Sequence, residues 1–174
     1  MKVRLEKYNP QKHDQQALAK LIFESDKQMN RLTYGKNTLD VIEKMLTIPE
    51  SYFVPEFMQC AWVNDKLVGV VVTFPASQLE EVDQAAGRGF MQAMGFFSFF
   101  TRMPLYLKMD KMLGGDMDDD VLYIHTICVD ENFRGKGIGS EILEKVTEEN
   151  SKMYLYVNMI NECLLRFYKN VVFT

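Results

Sequence analysis

The amino-acid sequence predicts a single-domain protein of the α/β class. Its strongest signal is a near-continuous apolar run, 121–129, which is followed by a glycine-rich turn and then by an amphipathic helical pattern. A second predicted strand, 153–157, is again followed by a short helical pattern. The length of 174 residues suits one domain, which buries enough surface to need no metal or disulfide for stability.

Composition argues against several classes of protein. The formal net charge of −4 argues against a nucleic-acid-binding protein, no signal peptide is visible, and no apolar run is long enough to span a bilayer. The three cysteines, Cys60, Cys128 and Cys163, lack C-x-x-C spacing, which predicts buried thiols rather than a zinc site or a disulfide framework. We therefore expect a cytoplasmic protein with no metal site and no membrane segment.

The chain begins with a predicted strand and a predicted helix. Apolar and polar residues alternate over 2–8, which is typical of a strand, one that would suit the edge of a sheet. Asn9 followed by Pro10 predicts a helix start, because asparagine is a favoured N-cap and proline fits the first turn. The helical pattern fades near Met29. Its core-facing residues are Leu18, Leu21 and Ile22.

A second helix and a β-hairpin follow in the sequence. The helix starts at Thr38 and ends before Pro49. Its apolar stripe is Leu39, Ile42, Met45 and Leu46. Two strands, 58–63 and 67–74, are joined by the short polar turn Asn64-Asp65-Lys66, whose composition favours a hairpin.

Residues 76–120 form an unusually long connection between the hairpin and the apolar run. A structureless loop of that length is rare in a compact domain, and the spacing of Met, Phe and Tyr predicts mostly helix, interrupted at Pro104. The four phenylalanines within 96–100 cannot all be buried by one face of a helix. Two interpretations are open: additional core, which we favour by default, or a pliable lid over a substrate site. The acidic run 116–120 predicts a solvated loop.

The turn after the apolar run predicts an anion site. The amide groups at the start of a helix lack partners, and glycines let the main chain approach a phosphate closely. The P-loop pattern is absent, and the dinucleotide pattern G-x-G-x-x-G fails because Ser140 stands at the last glycine position. A third pattern, Q/R-x-x-G-x-G/A after a strand, is matched by Arg134, Gly137 and Gly139.

With this turn the sequence resembles the GNAT superfamily of acyl-CoA-dependent N-acetyltransferases. A second motif of the family, V-N-x-x-N-x-x-A-x-x-x-Y, is matched by Val157-Asn158, Asn161 and Tyr168, with Leu164 at the alanine position. The resemblance implies a mixed central sheet with helices on both faces. The insertion at 76–120 resembles that of members similar to puromycin N-acetyltransferase.

The resemblance also implies acetyl-CoA as cosubstrate and an amine as acceptor. The pyrophosphate would lie in the glycine-rich turn, and the pantetheine arm would lie between strands 121–129 and 153–157. The N–H of Cys128 would contact the thioester oxygen, while its thiol is assigned to packing. The coenzyme-binding residues implied in this way are Ile127, Cys128, Val129, Arg134, Gly135, Lys136, Gly137, Ile138, Gly139, Ser140, Asn161 and Tyr168.

Three side chains are candidates for catalysis. Tyr168 matches the family's general acid, and a tyrosine that titrates near ~10 is a proton donor at neutral pH. Strand alternation places Tyr123, His125 and Ile127 on one face. His125 has the intrinsic pKa of a base, with a hydrogen-bonded core histidine as the alternative. Tyr123 stands at about the position where relatives carry a glutamate.

The sequence departs from the family pattern near its end. Val172 replaces a glycine, and the family continues into one or two further strands where this sequence stops at Thr174. We therefore expect either a homodimer that covers the open edge of strand 153–157 or weakened acceptor binding. The leading expectation is acetyl transfer from acetyl-CoA to a primary amine of a small molecule or peptide. The alternatives are a non-catalytic acyl-CoA-binding or interaction module and, third, a dinucleotide-binding oxidoreductase.

Overall fold

A computed structural model describes residues 2–113, 118, 120–147 and 152–155 of the chain. Within these residues, five strands form one sheet in chain order. The strands are β1 (Arg4–Lys7), β2 (Met58–Val63), β3 (Lys66–Pro75), β4 (Leu122–Val129) and β5 (Met153–Leu155). Neighbouring strands run antiparallel from β1 to β4, whereas β5 is parallel to β4. The predicted mixed α/β architecture is confirmed.

Helices lie on both faces of the sheet. They are α1 (Gln15–Ser25), α2 (Lys27–Tyr34), α3 (Thr38–Met45), α4 (Leu79–Met94), α5 (Phe96–Leu113) and α6 (Ile138–Thr147). One core cluster joins α1 and α3 to one face of β2 and β3, and a second joins α6 to the opposite face. Nowhere in the described ranges is a helix long and apolar enough to cross a membrane.

The first helix begins later than the sequence predicted. Asn9 accepts a hydrogen bond from the N–H of Gln11 within a turn, and the helix starts only after Asp14. The Asp14 carboxylate accepts from the N–H groups of the next turn and so caps α1. The helical structure also continues beyond Met29, where the sequence predicted its end. The carboxylate of Asp26 accepts a hydrogen bond from the Met29 N–H and caps the next helix, α2.

The second predicted helix and the hairpin are observed close to their expected limits. The helix is α3, although Leu39 is exposed and Val41 takes its place in the core. Asn64 and Asp65 have φ angles of 48° and 58°, so they form the two-residue turn that joins β2 to β3. Lys66 already belongs to β3.

The long connection is helical, as predicted, but it breaks at a different residue. Gly95, with a φ angle of 84°, separates α4 from α5, whereas Pro104 lies inside α5. The side chains that attach α5 to α2 are Arg102 and Tyr106, which donate to the carbonyl oxygens of Leu32 and Thr33 at 2.9 Å each. The insertion therefore packs on the α2 side of the domain.

A β-bulge in β4 contradicts the prediction that Tyr123, His125 and Ile127 share a face. Val72 pairs with Thr126 and the next residue of β3 pairs with Ile124, so His125 is an extra residue in β4. As a result Ile124 and Ile127 both pack on the α6 side of the sheet, while the His125 ring lies on the opposite side. Simple alternation fails because the bulge shifts it by one residue.

Candidate functional site

The turn between β4 and α6 has a backbone conformation that requires glycine at two positions. After a short 3₁₀ turn at Glu131–Phe133 the chain passes through Gly135 and Gly137, whose φ angles are 73° and 78°. These left-handed conformations are costly for any residue with a Cβ atom. No atom lies within 4 Å of a Cβ built at either position, so the backbone conformation, not lack of space, demands glycine there.

The turn leaves a row of amide groups at the start of α6. The N–H of Glu141 donates to the carbonyl of Gly137 and begins the helix. Within the part of the chain that the structure describes, no acceptor is recorded for the N–H groups of 135–140. Unpaired amides at the positive end of a helix dipole bind anions, and phosphate is a common one. The turn thus has the backbone geometry that an anion site requires, and anion binding itself stays a prediction.

Two basic side chains flank this turn and are exposed. Arg134 donates from Nε to the carbonyl of Val129 at 2.9 Å, which links the turn to the end of β4. The ammonium group of Lys136 donates to the carbonyl of Asn132 at 2.8 Å and lies 5.0 Å from the ring centroid of Phe133. Both charges therefore lie beside the amide row.

The segment Ile127–Val129 forms the end of β4 that leads into the turn. It pairs with β3 on one side, whereas the described pairing of β4 with β5 ends at Ile124 opposite Leu155. Ile127 and Val129 pack on the α6 side, and Cys128 is buried in the other core. Burial raises the pKa of the Cys128 thiol to about 11, so the thiol stays protonated at neutral pH.

His125 lies in a cluster of aromatic rings. Its ring stacks on Tyr52 with centroids 4.0 Å apart, and Phe53 and Phe74 approach within 6.2 and 6.3 Å. Its Nδ1 lies 2.9 Å from the hydroxyl oxygen of Thr126. Burial lowers the pKa of His125 to about 4, which makes it a weaker proton acceptor than an ordinary histidine.

Tyr52 is a member of this cluster that sequence analysis did not identify. Its hydroxyl donates to the carboxylate of Asp83 in α4 at 2.6 Å, so it connects β4 to the insertion. Burial and the neighbouring carboxylate raise the pKa of Tyr52 well above its ordinary value. No motif marks Tyr52, because it lies in an irregular loop more than seventy residues before His125. Tyr123 is buried on the same side, 5.2 Å from the Phe74 ring.

Several predicted site residues lie outside the described part of the chain. They include Asn161 and Tyr168, together with the remainder of the strand predicted at 153–157. Gly139 and Ser140 lie in the first turn of α6, and Ile138 is buried beneath it. Within the described ranges, no group of three or more His, Cys, Asp or Glu side chains is arranged to hold a metal ion.

Comparison with known proteins gives the same architecture. The model of the acetyltransferase (GNAT) family matches residues 22–171. An N-acetyltransferase from Staphylococcus aureus Mu50 superimposes with a TM-score of 0.70 at 22% identity, covering 97% of this chain and 88% of that one. A second acetyltransferase gives a TM-score of 0.62 at 20% identity, covering 96% and 87%.

A more distant solved structure is a mutant of agmatine N-acetyltransferase in its apo form. It superimposes with a TM-score of 0.51 at 14% identity, covering 95% of this chain and 81% of that one. Identities this low establish a common fold and nothing finer. The comparison with curated proteins found no match. The family model nevertheless spans most of the sequence, including the turn before α6, and the chain therefore belongs to the GNAT acetyltransferase family.

Proposed function

We propose that the protein transfers an acetyl group from acetyl-CoA directly to a primary amine of a small molecule or peptide. The observation that carries this proposal is the amide row of 135–140, which opens α6 beside two basic side chains. Membership of an acetyltransferase family supports the choice of a CoA thioester as the phosphate-bearing ligand.

The turn would bind the pyrophosphate of the coenzyme. Its amide groups supply fixed hydrogen-bond donors, and Arg134 and Lys136 supply positive charge. The outer edge of Ile127–Val129 would pair with the amides of the pantetheine arm, and the N–H of Cys128 would polarise the thioester carbonyl. The protonated thiol of Cys128 supports direct transfer over a covalent acyl-enzyme.

In this reaction the neutral amine nitrogen bonds to the thioester carbon, and the carbon–sulfur bond then breaks. Tyr168 would donate a proton to the departing thiolate, and the amine nitrogen would lose its proton to a base or to water. His125, with a pKa of about 4, would accept that proton only weakly, so we propose for it mainly a structural role in the bulge. Tyr123 is the neighbouring candidate on the same side of the strand.

A second candidate function is a non-catalytic acyl-CoA-binding or interaction module. The observation that favours it is the aromatic environment of His125, which leaves β4 without a strong base. The two functions differ in turnover but share coenzyme binding. The variant Tyr168→Phe separates them, because it should reduce turnover in an enzyme with little loss of affinity and change nothing in a module.

Calorimetric titration of acetyl-CoA into the full chain tests the proposal first. We expect micromolar binding and no binding of NAD, which would exclude an oxidoreductase. Lys136→Ala should weaken binding roughly 3- to 10-fold, whereas the matched control Lys66→Ala, an exposed lysine of β3, should leave it unchanged. Absence of binding by a folded, monodisperse sample would refute the transferase proposal.

An amine screen with thiol detection then tests transfer itself. Agmatine, the substrate in the name of one structural neighbour, is a suitable first member of the panel. Because the acceptor must be neutral, kcat/KM should rise with pH towards the pKa of the amine. A sample that binds acetyl-CoA but releases no coenzyme A with any amine would favour the binding module.

A further inference from the structure

The side of α5 that is turned away from the domain carries four large apolar side chains. Phe96, Phe97, Phe100 and Leu107 are 66%, 81%, 49% and 57% exposed. The rings of Phe96 and Phe100 lie 4.4 Å apart, so they form one continuous surface. We call these four residues the outer face of α5.

The outer face is not needed to attach α5 to the domain. The opposite side of the helix does this through Arg102 and Tyr106, which bond to α2. The ring centroid of Phe99 lies 5.5 Å from that of Tyr106, and the centroid of Tyr106 lies 6.3 Å from that of Phe90 in α4. A surface of several exposed aromatic rings beside a separate packed face is typical of an interaction site.

The spacing on this helix fits a second helix. Phe96, Phe100, Met103 and Leu107 follow one another at intervals of four, three and four residues. That is the repeat of apolar residues at the seam of two packed helices. Met103 is partly exposed and lies between the rings and Leu107. The outer face is therefore shaped to accept a helix with a similar apolar stripe.

We propose that the outer face of α5 binds the same face of a second copy of the chain, with the two helices antiparallel about a twofold axis. This arrangement brings Phe96 of one chain opposite Leu107 of the other and the two Phe100 rings together near the axis. A twofold interface uses one patch twice, so the patch must be self-complementary, as an apolar stripe with this spacing is.

The positions of the charges select the antiparallel orientation. Lys108 and Lys111 are exposed and lie together at the C-terminal end of α5. In a parallel pair they would face their own copies. In the antiparallel pair the Lys108 residues are ~20 Å apart at 1.5 Å per residue, and each ammonium group lies near the partner's phenyl rings.

The exposed area is large enough for such a dimer. The three phenylalanines together expose roughly the area of two whole side chains, which is ~400 Å² per chain. With Leu107 and the surrounding atoms, two copies would bury ~1,000 Å², the lower limit for a specific interface. An anionic membrane is the less suitable partner, because the chain has a net charge of −4 and such binding uses clusters of about 4–8 basic residues.

Sedimentation velocity of the full chain over a concentration series tests the proposal. We expect a dimer of twice 20.2 kDa at micromolar concentration. Phe96→Ser should raise the dissociation constant at least ~100-fold, because twofold symmetry removes two exposed rings of the seam at once. The control is Leu39→Ser on α3, which removes an apolar side chain that is 45% exposed elsewhere on the domain and should leave the dimer intact.

Cysteine cross-linking tests the orientation in a background with Cys163→Ser. Met103→Cys, which keeps every ring and lies as close to the axis as Phe100, should form an intermolecular disulfide, whereas Lys111→Cys should not, because its two copies lie far apart in the antiparallel pair. Equal cross-linking at both positions would overturn the antiparallel arrangement. A monomer at all concentrations, a dimer insensitive to Phe96→Ser, or a monomer that binds anionic vesicles would overturn the proposed interface.

Discussion

The segment from β4 to α6 and the inserted pair α4–α5 each contain a helix that packs on the domain, but the two helices are held in different ways. α6 buries large side chains, Ile138, Ile142 and Leu143, against the sheet. The buried residues of α4 are smaller: Val82, Ala86, Gly89 and Ala93. The first segment is thus stabilised by the volume of its buried side chains and the second by close approach of backbones. Substitutions should therefore affect the stability of the two segments differently.

The largest expected effect tests the close approach of α4. A Cβ atom at Gly89 would lie 1.8 Å from the carbonyl oxygen of Glu50. Gly89→Ala should therefore lower the free energy of unfolding by about 3 kcal/mol, because backbone must move to make room. Urea denaturation followed by the fluorescence of Trp62, the single tryptophan, measures this change.

Gly87→Ala is the control on the same helix. No atom lies within 4 Å of a Cβ at that position, so the substitution should raise stability by about 0.5–1 kcal/mol through better helix propensity. If both substitutions change stability alike, the insertion is not held by backbone contact, and the contrast between the two segments is wrong.

The next effect concerns His125, which connects the two segments through Tyr52. Burial lowers its folded-state pKa to about 4 from the ordinary histidine value of 6.5, so between these pH values the unfolded chain binds more protons. Stability should therefore be full above pH ~6.5, fall as pH decreases towards 4 by up to about 3 kcal/mol, and level off below.

NMR titration of the ring protons measures this pKa directly, because the chain has only two histidines. His125→Gln should reduce the loss of stability between pH 6.5 and 4, as measured by urea denaturation. A His125 that titrates near 6.5 would show that the aromatic cluster is open to water and would restore it as a candidate base.

A smaller effect is expected in the glycine-rich turn. Gly137→Ala places a Cβ in a left-handed conformation with a φ angle of 78°, which should cost about 1–2 kcal/mol without any clash. The same variant should weaken acetyl-CoA binding, because the amide row depends on that conformation. Thermal unfolding and calorimetric titration measure the two changes, and unchanged values in both would show that the turn adapts freely.

The smallest effect on stability concerns the hydrogen bond between Tyr52 and Asp83, which links the two segments. Tyr52→Phe removes the hydrogen bond to the Asp83 carboxylate but keeps the ring on His125, so it should cost about 1 kcal/mol. Asp83→Asn keeps an acceptor oxygen and should cost less. Equal costs for both variants, measured by thermal unfolding, would mean that the negative charge of Asp83, not its hydrogen-bond geometry, makes the contact.

The features that the sequence could predict are those fixed by local chemistry. Asn64-Asp65 predicted a hairpin turn, and the glycines before α6 predicted a turn with unpaired amides, because few residues adopt these backbone conformations. The predicted start of α1 was wrong because Asn9 and Asp14 can both serve as N-caps, and only tertiary packing decides between them.

The features that the sequence could not predict depend on contacts between distant residues. Pro104 suggested a helix break, but packing of Arg102 and Tyr106 on α2 holds α5 continuous across it. Likewise Tyr52 belongs to the candidate site only because the fold places its ring against that of His125. No local pattern records either contact.

The extra residue in β4 also shifts the in-and-out order of side chains for the rest of the strand. Residues before it and residues after it follow opposite rules for which side of the sheet they face. Deleting His125 would turn Ile127 towards the core beneath α1 and Cys128 towards α6, exchanging the contents of the two cores at once. The length of this strand is therefore as strictly constrained as its composition, and the pair His125–Thr126 must move as a unit in any graft of this segment into another sheet.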